Sequence, residues 1–379
     1  MLNIEKQDEN LLSWVTWLGE MPGSLAAKMQ DLAPLLQRFF SYQANENVLG
    51  GPFLEAPVDE AFHAFSGKWG VTPKPFWPEG RPYALAITHD MDRLLSTVQR
   101  AKKEGRSPIR MLRTLIADVP TALQSSKWKE NPFFNFDRIL SLQRELGFRS
   151  ALYVLFEKRR FRLALTKNEW QHVIGVYDPS WIKDELAVFH RAGNEIGIHG
   201  SFDSYCRDKL LGGEREKLQE WTGAEVAGVR NHYLQYDPIL SASAQRLAGL
   251  SYDSTTGFNF SNGFRMGTCF PFLRQGVWEL PFQLMDSALR YQFDTTAKRL
   301  RCIEDIQRTV KKVGGALVVN WHTHVLNAVT YPEEVELLSR IITQAKADGA
   351  WLARPVDIIR HWEARAALTT CEKNEAAVL

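Results

Sequence analysis

From Tyr83 onward the chain repeats one pattern, a short apolar run rich in β-branched residues followed by a longer amphipathic stretch. The runs are YALAIT (83 to 88), RSALYVLF (149 to 156), NEIGIH (194 to 199), EVAGVRN (225 to 231), LSYDSTT (250 to 256), VWELPF (277 to 282), ALVVNW (316 to 321) and AWLARP (350 to 355). Between most of them lie helical candidates such as FNFDRILSLQREL, DPSWIKDELAVFHRA, DPILSASAQRLA and YPEEVELLSRIITQAKA. Parallel strands need a crossover long enough for a helix, so this alternation predicts an α/β fold with a parallel sheet. Seven or eight such units in one block favour a closed TIM-like barrel, (β/α)7-8, over an open doubly wound sheet.

The first 80 residues read differently. LLSWVTWLGEM and LAAKMQDLAPLLQRFF space their apolar residues three and four apart, predicting a helical N-terminal region over 1–80. VTPKPFWPEGRP (71 to 82) then breaks any helix and delivers the chain in extended form to a second unit, 81–379. Inside that unit, residues 93–130 hold nine Lys/Arg against three Asp/Glu and read as a basic helical insertion after the first strand. A solvated helical hairpin accounts for it, and a lid or a dock for an anionic substrate is the functional alternative.

Composition narrows the function classes. With Lys+Arg 46 against Asp+Glu 44, no overall field points to nucleic acid or to membrane lipid. Cys206, Cys269, Cys302 and Cys371 are scattered without metal-knuckle spacing and read as free thiols. The opening MLNIEKQDENLLSW lacks the basic and apolar regions of a secretory signal, and no run is long enough to span a bilayer, so no transmembrane segment and a cytoplasmic location are expected.

The informative residues stand at the strand ends, which in such a barrel converge on one mouth. The first strand ends in His89-Asp90-Met91-Asp92, the third in His199 with Asp203 four residues on, the fourth in Arg230-Asn231-His232-Tyr233, and the seventh in Asn320-Trp321-His322-Thr323-His324. Side chains alternate along a strand, so Asp90 and Asp92 share a face, as do Arg230 and His232, and His322 and His324. Two such close carboxylates repel unless a cation sits beside them. Imidazole mixed with carboxylate suits Zn²⁺ or another first-row ion, and three protein ligands would leave a position for water, which is a hydrolase arrangement.

In order and context, THDMD, EIGIHGS and the late WHTH resemble the motifs of the polysaccharide deacetylase superfamily (NodB homology, carbohydrate esterase family 4) over residues 81 to about 355. GVRNHYL and GFRMGTCFPF are similar to a divergent, polysaccharide deacetylase-like branch of it. The resemblance implies a distorted barrel that binds one divalent metal, usually zinc, and removes N-acetyl groups from amino sugars. It implies that Asp90 is the base, that Asp92 and His199 are metal ligands, that Arg230 orients Asp90, and that His322, held by Asp286, protonates the departing amine. The usual second histidine of the second motif is here Asp203. The third ligand is then either Asp203 or, in our preference, His232. Tyr233 is expected to offer a backbone N–H to the oxyanion and Trp321 to line the pocket.

Simpler roles compete at each position. A single Asp after a strand commonly caps the next helix. His89 and His324 read as packing residues near the site, His63, His172, His190 and His361 as structural, and GFRMGTCFPF as a rigid loop in which Cys269 has no base partner. The functional expectation is a metal-dependent amide hydrolase acting on an N-acylated sugar or small-molecule precursor. The competing ones are a hydrolase of another C–N bond and a catalytically silent carbohydrate-binding or assembly protein on the same fold.

Overall fold

A computed structural model of the protein describes residues 52–68, 75–94, 129, 133–157, 177–328 and 331–376. The helices expected in residues 11–40, almost all of the basic insertion and His172 lie outside the described residues.

The strands are β1 (Ala84–Met91), β2 (Ser150–Leu155), β3 (Glu195–Gly200), β4 (Gly228–Asn231), β5 (Tyr252–Asp253), β6 (Phe272–Arg274), β7 (Val277–Glu279), β8 (Leu284–Met285), β9 (Ala316–Asn320) and β10 (Trp351–Leu352). The helices are α1 (Pro57–Lys68), α2 (Phe136–Leu146), α3 (Lys183–Arg191), α4 (Asp208–Thr222), α5 (Ser241–Leu247), α6 (Asp286–Gln292), α7 (Thr296–Val313), α8 (Pro332–Ala347) and α9 (Pro355–Ala376). Each helical candidate quoted between the strand runs contains one of them. Gly147 (φ 65°) and Gly314 (φ 75°) end α2 and α7 in the left-handed region, where a side chain is costly.

The sheet runs β6-β7-β5-β4-β3-β2-β1-β9-β8, parallel throughout except for the β6–β7 hairpin. It closes through one extended run. Val277–Glu279 pairs with β5, and five residues on, Leu284–Met285 pairs with β9. Between them Phe282 N donates to Thr256 O and Gln283 N to Val318 O. One stretch of chain therefore spans the gap between β5 and β9, and the ring β1-β2-β3-β4-β5-(β7/β8)-β9 is a distorted β/α barrel. The eighth expected strand, AWLARP, contributes only β10, which pairs with Ala84 and Leu85 at the start of β1.

Strands β1 to β4 and β9 are buried along their whole length, as their near-continuous apolar runs require. Two tyrosines fill the interior below the site. Tyr153 lies against Gly197 and Tyr252 against Gly228, where an added Cβ would come within 2.5 Å and 2.0 Å of the rings. Their hydroxyls are 2.9 Å apart, and Tyr252 donates onward to Glu195 at 2.5 Å. Close approach of backbone and ring is the physical reason for glycine at both positions.

The described part of the N-terminal stretch packs on the barrel. Phe53 bridges to Gly263, and Asp59 of α1, wholly buried, accepts from Thr268 Oγ1 (2.6 Å) and Cys269 N (2.9 Å). Cys206, Cys269 and Cys302 are free thiols. Among the described residues no helix is long and apolar enough to cross a membrane.

Candidate active site

Strand alternation brings the expected residues to one mouth. Asp90, on the last turn of the β1 ladder, is 2% exposed and grips two donors: Arg230 Nη1 reaches its Oδ1 at 2.9 Å, and Asn320 Nδ2 its Oδ2 at 2.7 Å. Arg230, on β4, is itself fully fixed. Its Nη1 also donates to Thr88 Oγ1 (2.8 Å), Nε to Ser254 O (2.8 Å) and Nη2 to Ser254 Oγ (2.9 Å). The guanidinium lies between the rings of Tyr153 and Phe282, at 4.7 Å and 4.8 Å from their centroids. Burial alone would push the Asp90 carboxyl up, but Arg230, then His199 and His322, outweigh it and hold it below its ordinary range.

Two residues on, Asp92 meets the histidines. Its Oδ1 is 3.1 Å from His199 Nε2 and its Oδ2 is 3.5 Å from His322 Nε2. Ligand atoms of Asp92, His199 and His232 all lie within 4.8 Å of one another, and Asp203 is outside that group. The His199 and His232 rings stand 5.0 Å apart at 61°. The tautomer of His199 follows from its other nitrogen, which donates to Arg230 O at 2.7 Å. That leaves a bare Nε2 lone pair facing a carboxylate, an arrangement that calls for a proton or a cation between them.

The donor set fits a metal ion on this chain's own geometry. Asp92 Oδ1 and His232 Nδ1 are buried without a hydrogen-bond partner, which is costly in a site that binds nothing. One carboxylate and two imidazoles form a three-ligand set of the kind that holds zinc with a position left open. Burial pushes Asp92 up, yet His322, His199 and His232 bring it well below the carboxylate range. His232 is lowered by its burial, which favours the neutral, ligating imidazole.

Across the mouth stands a second acid-base pair. His322 Nδ1 donates to Asp286 Oδ1 at 2.5 Å, and the His322 backbone N–H reaches the same oxygen at 3.1 Å. Arg290, one turn along α6, donates from Nη2 to Asp286 Oδ2 at 2.7 Å and pairs through Nη1 with Glu334 at 3.0 Å. Although burial opposes its charge, Asp286 and then Asp92 raise His322 to about 9.

The remaining expectations are placed as follows. Tyr233 packs its ring 4.1 Å from that of His232, in a turn where Tyr233 and Leu234 both take positive φ (57° and 55°). Trp321 is 0% exposed and packs in the core cluster. His89 faces away from Asp90: its Nδ1 donates to Trp321 O at 2.7 Å, and burial lowers it to about 4. His324 sits 5.4 Å from the Phe133 ring. Sequence reasoning did not single out Asn320 or Glu157. Asn320 was legible, since it shares a face with His322. Glu157 follows β2, a strand with no metal-binding signature.

No protein-family model matches the sequence, and no curated protein does. Solved structures do match. A Mycobacterium smegmatis protein described as a polysaccharide deacetylase superposes with a TM-score of 0.52 at 20% identity, over 76% of this chain and 93% of its own. An allantoinase gives 0.49 at 16%, over 79% and 96%, and a Pseudomonas aeruginosa PAO1 protein described as a polysaccharide deacetylase gives 0.49 at 16%, over 79% and 97%. The fold that the motifs implied, a NodB-type distorted barrel, is the one observed.

Proposed function

We propose that the protein is a metal-dependent hydrolase that removes an N-acetyl or other acyl group from an amino sugar or a sugar-containing precursor. One observation carries this reading: two oppositely tuned acid-base pairs, Asp90 with Arg230 and His322 with Asp286, flank the Asp92, His199 and His232 cluster. Environments that push titratable groups apart assign the acid and the base.

A divalent ion on Asp92, His199 and His232, zinc by the character of its donors, would supply Lewis acidity to water and to the amide carbonyl. Asp90, kept ionised by Arg230 and aimed by Asn320, takes the proton of the attacking water. To the oxyanion we assign the backbone N–H of Tyr233 as donor. An amine leaves poorly without a proton. His322, held cationic by Asp286, delivers that proton to the departing nitrogen from Nε2.

The test is metal analysis of the purified protein together with acetate or formate release from a panel of N-acylated amino sugars and precursors, set against Asp92→Ala. The expected result is about one ion per chain in the wild type, with both the ion and acyl release lost in the variant. A wild-type protein that takes up no divalent ion and releases no acyl group would overturn the proposal in favour of a silent binding protein.

A further inference from the structure

We propose that Glu157 is a positioning residue for the metal centre, accepting a hydrogen bond from His232 Nδ1–H and so turning the opposite ring nitrogen toward the ion. This deepens the metal-dependent reading above and rests on it.

The two cluster histidines are anchored differently. His199 has its Nδ1 fixed by the Arg230 carbonyl at 2.7 Å, so its tautomer and ring angle are set by backbone. His232 has no such carbonyl: its buried Nδ1 lacks a hydrogen-bond partner and faces Glu157 Oε2 at 3.7 Å, just beyond hydrogen-bond reach. A histidine that binds metal nearly always gives its second N–H to an acceptor, which fixes the tautomer and raises the basicity of the ligating nitrogen. Glu157 is the carboxylate in place to be that acceptor.

Glu157 is aimed rather than loose. It stands two residues past the end of β2, and its Oε2 accepts the Phe202 backbone N–H at 2.8 Å, so it joins the β2 end to the turn after β3. Its side chain is 14% exposed. It is not among the residues whose ligand atoms lie within 4.8 Å of one another, Asp92, His199 and His232, and it meets the group through His232. Such an anchor has a physical purpose here. His232 rides on a turn with two consecutive positive-φ residues, Tyr233 and Leu234, a backbone that persists only where its surroundings hold it.

The experiment measures zinc affinity by competition with a chelating dye, and the visible absorption of the cobalt-substituted protein, for wild type, Glu157→Ala and Glu157→Gln. Loss of such an anchor typically weakens metal affinity ~10–100-fold, which is the effect expected for Glu157→Ala. Glu157→Gln keeps an acceptor of the same length, so it should recover much of the affinity and retain the wild-type cobalt band. A purely structural role would lower the unfolding temperature of the metal-free variants and leave zinc affinity and the cobalt band unmoved, and that result overturns the inference. Equal zinc affinity in all three proteins overturns it while sparing the hydrolase reading. A wild type that binds neither zinc nor cobalt overturns both.

Discussion

Replacing Arg230 with methionine exposes how the site is held together. The substitution removes four hydrogen bonds, to Asp90, Thr88 and Ser254 twice, and leaves the Asp90 carboxylate buried with the Asn320 amide as donor. Breaking a buried ion pair from one side costs ~3–5 kcal/mol, mostly because a charge is stranded. Asp90→Asn strands the guanidinium instead, though Thr88 and Ser254 still receive it, so a smaller loss is expected. The double variant Arg230→Met/Asp90→Asn has no stranded charge, and methionine fills much of the space between the Tyr153 and Phe282 rings. Its destabilisation should fall short of the sum of the single losses by about 2 kcal/mol, at the upper part of the range for contacting residues. Urea unfolding of all four proteins in EDTA, followed by tryptophan fluorescence, gives the coupling without any substrate. Additivity to within ~0.5 kcal/mol would refute the idea that this pair is coupled through burial.

Three further outcomes follow from the same geometry. Asp286→Asn removes the charge that raises His322 to about 9 against its burial, so the alkaline limb of turnover should shift down by two units or more, costing roughly thirtyfold at pH 8 if the ring returns to its ordinary value; an unmoved limb in the pH–rate profile of the metal-loaded protein would exclude His322 as the acid. Gly228→Ala sets a methyl 2.0 Å from the Tyr252 ring, which its hydroxyl contacts to Glu195 and Tyr153 hold in place, and should cost ~1–3 kcal/mol in thermal unfolding, with a neutral result contradicting the packed-interior account. Burial raises Glu195 from 4.5 to about 7, despite the Tyr252 and Val356 hydrogen bonds that oppose it. The folded state then keeps a proton that the unfolded chain releases, so this contribution is full below 4.5 and is lost as pH rises through 7. Urea midpoints should decline across that window, less steeply in Glu195→Gln, and an identical slope in the variant would rule the residue out.

The repeat of apolar run and amphipathic stretch determined the parallel barrel, because a strand buried on both faces and a crossover helix each leave a pattern of their own along the chain. Alternation within THDMD, VRNH and NWH was enough to turn Asp90 with Asp92, Arg230 with His232, and Asn320 with His322 toward one mouth. Trp321, expected to line the pocket, is fully buried among the core residues. Tertiary structure alone decided which of these groups meet. That His232, and not Asp203, comes within 4.8 Å of Asp92 and His199 depends on where the chain goes after β3 and β4, and the two-donor grip on Asp90 joins residues 140 and 230 positions away. Closure by the single run Val277–Met285 was equally hidden, since nothing local says that one stretch will pair with β5 at its start and β9 at its end. Periodicity is written into neighbouring residues, whereas ring closure and ligand convergence are properties of distances between segments that sequence order does not encode.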